Sequence, residues 1–268
     1  VYTKLLDIYP DAIGGYSIRK LKSTYSGYCM RIRRSSDNAS LDVGFDSSDN
    51  LDTSAILTFV GSNSAYVSIW YDQSGYGYNL TQPTAALQLR IVNAGSFDTL
   101  NGKVGLRKIA NTAQWMSVSY GTTYSQPNTM FNVGSNAKID GTYLWDGIAS
   151  GNRNGILLNT VSTVINFGLW ASGLFYKVDN ISSISTQRIL YAKYNGASSA
   201  LTWNNQTEAT GNPGANTLTG LTLNSTYTQG ASSNLYEMFH QEMIVFNFDK
   251  SSDKTNIINN QNSFYTAF

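Results

Sequence analysis

The runs Trp115-Met-Ser-Val118, Tyr143-Leu-Trp145, Gly155-Ile-Leu-Leu158, Val164-Ile-Asn-Phe-Gly-Leu-Trp170, Leu174-Phe-Tyr-Lys-Val178 and Ile189-Leu-Tyr-Ala-Lys-Tyr194 decide the fold. Each is a short apolar or aromatic stretch, and Gly, Asn and Ser separate one from the next. Strand-length runs recurring at roughly 8–12 residues with turn residues between them spell a β-sandwich. The composition agrees. Tyr occurs 18 times and Gly 23 times, whereas Glu is confined to Glu208, Glu237 and Glu242. A chain rich in β-favouring aromatics and poor in strong helix formers is mainly β.

Outward from that centre, the pattern changes toward both ends. Ile18, Leu21 and Tyr25 recur at helical spacing opposite Arg19, Lys20 and Lys22, which predicts a short amphipathic helix over 15–26. Tyr28, Met30 and Ile32 then alternate with Arg31 and Arg33, as in a half-buried strand. Asp52 stands where an N-cap belongs, ahead of a helix with Ala55, Ile56, Phe59 and Val60 on its buried stripe. Tyr66–Tyr71 reads as a buried strand ending in the turn Asp72-Gln73-Ser74-Gly75. Near the C-terminus, an alternating strand over 238–248 is followed by a helix over 252–264. No linker or charge block interrupts the chain, so residues 1–268 are expected to form one domain, framed by segments 15–38 and 236–264.

Charge and composition exclude several functions. The 18 basic and 17 acidic side chains leave a net charge of +1, without the basic excess that phosphate contacts need, so no nucleic-acid partner is expected. A single cysteine, Cys29, and a single histidine, His240, exclude a disulfide framework and multi-His metal centres; no metal site is expected. A weak calcium possibility attaches to Asp42, Asp46 and Asp49, which lack EF-hand spacing; otherwise no cofactor is expected. No apolar run is long enough to span a bilayer, so no membrane insertion is expected. A start at Val1 without a basic and apolar leader suggests a processed chain or a fragment.

Three segments together resemble a known family. They are 15–38, with its Arg31-Ile-Arg-Arg-Ser-Ser-Asp-Asn38; Trp70-Tyr-Asp-Gln-Ser-Gly-Tyr-Gly77 with Leu80-Thr-Gln82; and Asn234-Leu-Tyr-Glu237 before the last strand. This looks like the catalytic-domain family of α-L-arabinofuranosidase B, and similar segments occur in bacteriophage fibre and receptor-binding proteins. The resemblance implies a single concanavalin- or laminin-G-like jelly-roll β-sandwich with a few short helices. It also implies a retaining glycosidase with two carboxylates about 5 Å apart. The family's nucleophile is the Glu of Cys-Cys-Phe-Asp-Tyr-Gly-Asn-Ala-Glu. The nearest match, Tyr143-Leu-Trp-Asp-Gly-Ile-Ala-Ser-Gly-Asn152, offers Asp146 and no Glu. The family's acid/base Asp would fall near Thr226, in a stretch, 209–236, that contains no carboxylate.

With both catalytic positions unfilled, the sequence reads as a non-catalytic carbohydrate-binding or adhesion module, on a virion or otherwise extracellular. Its expected partners are a cell-surface glycan or other virion proteins, with a second copy of the chain as a further candidate. Two alternatives stand beside it: a purely structural virion decoration domain, and an arabinofuranosidase-like hydrolase using displaced carboxylates such as Asp146 and Glu237. Sugar faces stack on indoles while amides bind hydroxyls, so Trp203 with Asn204 and Asn205 is the first expected ligand site, and Trp145 with Asp146 the second. Arg31, Arg33, Arg34 and Asp37 are expected to be architectural, with Arg33 and Asp37 buried and paired. Asp72 and Gly75 are expected to close an Asx-type turn. His240 and Glu242 share a strand face and read as a polar pair at a sheet surface.

Overall fold

The computed structural model describes residues 3–136, 141–161, 164–177, 186–229 and 237–268. Its spine is the strand Met238–Phe246, buried at all nine positions. Ala12–Ser17 pairs with it on one side and Asn128–Asn136 on the other, both antiparallel. Leu106–Lys108 pairs with its first residues. From Asn128–Asn136 the ladder continues through Arg188–Tyr194 and Ser199–Trp203 to Ala209–Gly211. A second run of pairings starts from Ser40–Val43 and passes through Met30–Arg34 and Ala65–Trp70 to Leu89–Asn93. Leu89–Asn93 meets Leu106–Lys108, so the two runs join in one antiparallel sheet that folds over a contiguous core. This is the expected mainly-β sandwich.

The spine does not alternate between core and solvent, because both of its faces are covered. The helix Lys254–Tyr265 buries Ile257, Ile258, Gln261 and Tyr265. Its Gln261 and Tyr265 reach Glu242 of the spine at 3.1 and 3.2 Å. His240 and Glu242 are therefore interior residues, not a surface pair. His240 Nδ1 lies 3.0 Å from the Asn132 amide and Nε2 lies 2.7 Å from Asn224 Oδ1. Burial pushes its pKa down to about 3, so the ring is neutral at physiological pH and unsuited to acid catalysis there.

The predicted helix over 15–26 is absent. Ala12–Ser17 is a fully buried strand, and the chain beyond it is irregular, with Ile18 and Leu21 still buried. Gly14 and Gly15 weaken a local helix, and the ladder with Met238–Phe246 supplies the backbone partners instead. The other two helices form. Asp52 caps Thr53–Val60, its Oδ1 accepting from Ala55 N at 2.9 Å.

Candidate functional site

Between Gly141 and Tyr176 only two residues are charged, Asp146 and Arg153, and the fold brings them together. Asp146 ends the strand Thr142–Asp146, whose last two residues pair with Leu223 and Thr222. The chain then turns back through Asn152 and Arg153 into the strand Gly155–Val161. Arg153 Nε stands 3.0 Å from each carboxylate oxygen of Asp146, and its Nη2 stands 2.7 Å from Oδ2. Two backbone amides complete the carboxylate's shell. Gly147 N donates to Oδ1 at 2.8 Å and Tyr227 N to Oδ2 at 3.0 Å.

The far side of the guanidinium is lined with rings. Its carbon lies 4.6 Å from the centroid of Tyr227, 5.1 Å from Trp170 and 5.4 Å from Tyr143. Burial pushes the Asp146 carboxyl up from its ordinary value while Arg153 and the two amides pull it down. The result is a buried charged centre with aromatic rings packed on its cation.

Glycines make the geometry possible. A Cβ on Gly147 would lie 2.0 Å from Asn152 O, and one on Gly155 would lie 2.9 Å from Asp146 Oδ1. Gly147→Ala is therefore expected to force the two strands apart and to cost about 1–3 kcal/mol or more. Urea unfolding of the variant checks it; an unchanged midpoint removes the close approach as a constraint.

Arg153, Tyr143, Trp170 and Tyr227 are not among the site residues expected from the sequence. The isolation of one acid and one base in a charge-poor stretch was the available signal. Trp145 and Asp146, the second expected ligand pair, are both fully buried, and Trp145 offers no stacking face. Trp203 is 8% exposed and packs edge-on against Phe167, with Lys177 over its ring. Apolar packing has taken both indoles, so neither is the exposed platform that was expected. Asn204 adopts φ +48° and its Oδ1 accepts from Ile189 N, a turn-forming role; Asn205 is exposed beside it.

The arginine segment also differs from expectation. Asp37 pairs with Arg34, not Arg33, and is 48% exposed. Arg33 is half-buried and donates to Gln88, Asn38 and Ala85. The strand pairing Arg31↔Asp42 explains a further bond, Arg31 Nη2 to Asp42 Oδ2 at 2.5 Å. Asp42, Asp46 and Asp49 do not converge. Asp42 faces Arg31 and Tyr71, Asp46 accepts from the amides of Ser48 and Asn50, and Asp49 pairs with Lys4 and Lys20. Asp72 is buried and accepts from the amides of Gly15, Ser74, Gly77 and Tyr78, and Gly75 beside it takes φ +105°. Glu237 lies elsewhere in the site map: it binds Arg107, which also binds Asp98, and shares no partner with Asp146 among the described residues.

A sandwich with this connectivity is seen in glycoside hydrolases. A GH54 α-L-arabinofuranosidase soaked with a cyclic sulfate inhibitor superposes over 96% of this chain and 64% of its own, with TM-score 0.72 and 19% identity. The crystal structure of an arabinofuranosidase complexed with arabinofuranosyl-α-1,2-xylobiose gives TM-score 0.71 at 19% identity, over the same shares of the two chains. A more distant likeness is to a sialidase of Trypanosoma rangeli in complex with sialic acid, at TM-score 0.50 and 10% identity over 74% of this chain and 32% of that one.

In sequence, the family described as the catalytic domain of α-L-arabinofuranosidase B matches residues 10–154, and the chain belongs to that family. The matched stretch includes both Asp146 and Arg153. α-L-Arabinofuranosidase B of Emericella nidulans is 30% identical over 138 residues, which are 48% of this chain and 27% of that protein. The chain thus spans about a quarter of that curated relative's length. These findings overturn the expectation of a non-catalytic adhesion module on a virion; they favour the glycoside hydrolase alternative.

Proposed function

We propose that the chain is a glycoside hydrolase domain acting on α-L-arabinofuranosyl linkages, with the Asp146–Arg153 centre at its working site. The observation that carries this reading is the buried pair of Asp146 and Arg153, both inside the segment shared with the family, with the rings of Tyr143, Trp170 and Tyr227 packed on the guanidinium. Glycoside hydrolysis passes through an oxocarbenium-like transition state, which a carboxylate stabilises as positive charge develops on the sugar. Arg153 and the two amides hold Asp146 in one orientation, so no reorganisation is needed when that charge appears. The aromatic walls keep water from screening it.

A second carboxylate is required for the usual two-carboxylate chemistry. Glu237 does not serve, being held in a separate ion-pair cluster with Arg107. Asp140 and Asp179 are the two carboxylates outside the described residues. The test uses 4-nitrophenyl α-L-arabinofuranoside, the compound with which a mutant GH54 α-L-arabinofuranosidase has been soaked. Wild type is expected to release nitrophenolate, and Asp146→Asn to lower kcat by about 10²–10⁴-fold. Parallel Asp140→Asn and Asp179→Asn variants identify the partner acid. Absence of turnover by the folded wild type, or full activity of a folded Asp146→Asn protein, overturns the reading.

A further inference from the structure

Lys103 follows Gly102 in the tight turn that joins Thr99–Leu100 to Lys103–Val104. It opens onto a cavity of about 400 Å³ that shares no lining residue with the Asp146 centre. The volume falls in the range of roughly 300–1,000 Å³ typical of small-ligand sites. Ile18, Leu51, Val104 and Phe264 give the cavity an apolar side, and Asn50 and Thr53 a polar one.

Two groups here have needs that the protein leaves unmet. The neighbouring cations are neutralised: Lys4 and Lys20 by Asp49, and Arg19 by Glu242. Lys103 is not. Its ammonium sits 4.2 Å from the centroid of the Phe264 ring, with no carboxylate in ion-pair reach among the described residues. Partial burial, and then the nearby Arg19 charge, lower its pKa, as happens when a cation lacks a counter-ion. Asn50 has the opposite need. Its Oδ1 is buried with no hydrogen-bond donor. A buried acceptor left unmade costs about 1–3 kcal/mol, so a donor arriving from a ligand is favoured.

We propose that this cavity is a second carbohydrate site that takes a sugar bearing a carboxylate, a uronic acid either free or as a residue of a polysaccharide. The carboxylate meets Lys103, a sugar hydroxyl donates to Asn50 Oδ1, and the C–H face of the ring packs on Phe264 and Leu51. A neutral sugar satisfies only the last two. An inorganic anion satisfies only the first. The pairing of a lone cation, an orphaned acceptor and an apolar wall therefore selects for all three features in one molecule.

The experiment is calorimetric titration of the whole chain with D-glucuronate, D-glucose and inorganic phosphate. Glucuronate is expected to bind at least about tenfold more tightly than glucose or phosphate, the scale of one charge-assisted hydrogen bond. Added salt should weaken it. Lys103→Gln should reduce glucuronate binding to the level of glucose, Lys103→Arg should retain it, and Asp146→Asn should leave it unchanged. A glucuronate oligomer that binds in the same Lys103-dependent way identifies a polysaccharide residue as the ligand, and binding of the monomer alone identifies the free acid. Equal affinities for glucuronate and glucose, a phosphate affinity matching glucuronate, no saturable binding, or an unaffected Lys103→Gln variant overturns the proposal.

Discussion

Arg19→Ala is expected to destabilise the protein by about 3–5 kcal/mol, the cost of leaving one member of a buried ion pair without its partner. Both side chains of the Arg19–Glu242 pair are fully buried. Arg19 Nε reaches Glu242 Oε2 at 2.8 Å and Nη2 reaches Oε1 at 3.0 Å, a two-pronged fit. Ser17 Oγ and Gln261 Nε2 also donate to the carboxylate, at 2.7 and 3.1 Å. Alanine at 19 leaves the buried Glu242 carboxyl without its guanidinium fork, whereas the total stability of a domain is only about 5–15 kcal/mol. The pair joins the end of the first strand, the spine and the final helix, so its loss loosens three segments at once. Equilibrium denaturation in guanidinium measures the effect. A double replacement of both residues by apolar ones of similar volume should recover much of the loss, because neither charge then remains buried alone. An Arg19→Ala midpoint equal to wild type would show that the network is not structural.

The sandwich was legible because its signal is local: apolar runs of strand length at regular spacing need no knowledge of partners. The capped helix at Thr53–Val60 was legible for the same reason, since Asp52 and the helix it caps are neighbours in sequence. Features set by distant pairing were not. Residues 15–26 carry a helical pattern, yet the spine strand, more than 200 positions away, captures Ala12–Ser17. Trp203 looked exposed from its polar neighbours Asn204 and Asn205, but the strand Ser199–Trp203 turns the indole inward against Phe167. The pairing of Asp37 with Arg34 instead of Arg33 follows from strand alternation, which sends adjacent side chains to opposite faces. At the candidate site the acid was visible and its setting was not. The rings of Tyr143, Trp170 and Tyr227 come from three separate parts of the chain and meet only around Arg153.

That convergence makes Arg153→Ala the variant of largest expected consequence at the site. Among the described residues the guanidinium contributes the only charge paired with Asp146, which is otherwise held by the amides of Gly147 and Tyr227. Without it a fully buried carboxylate keeps only those two amides among the described residues, and the expected cost is again about 3–5 kcal/mol. The loss should depend on pH in a defined direction. Burial already pushes the Asp146 carboxyl up, and removing the Arg153 attraction lets it rise further. A carboxyl with a raised folded-state pKa favours the folded protein while protonated and loses that contribution as pH rises through the folded value. The variant's deficit against wild type should therefore be smallest in acid, where Asp146 is neutral, and should grow toward neutral pH. Arg153→Lys restores the charge but not the fork, so it should recover only part of the stability and, on the hydrolase reading, little of the activity. Melting temperatures of the three proteins at pH 4 and pH 7 decide the matter. A gap between Arg153→Ala and wild type that stays constant, or narrows toward neutral pH, would mean that Asp146 is not the group Arg153 holds in its charged form.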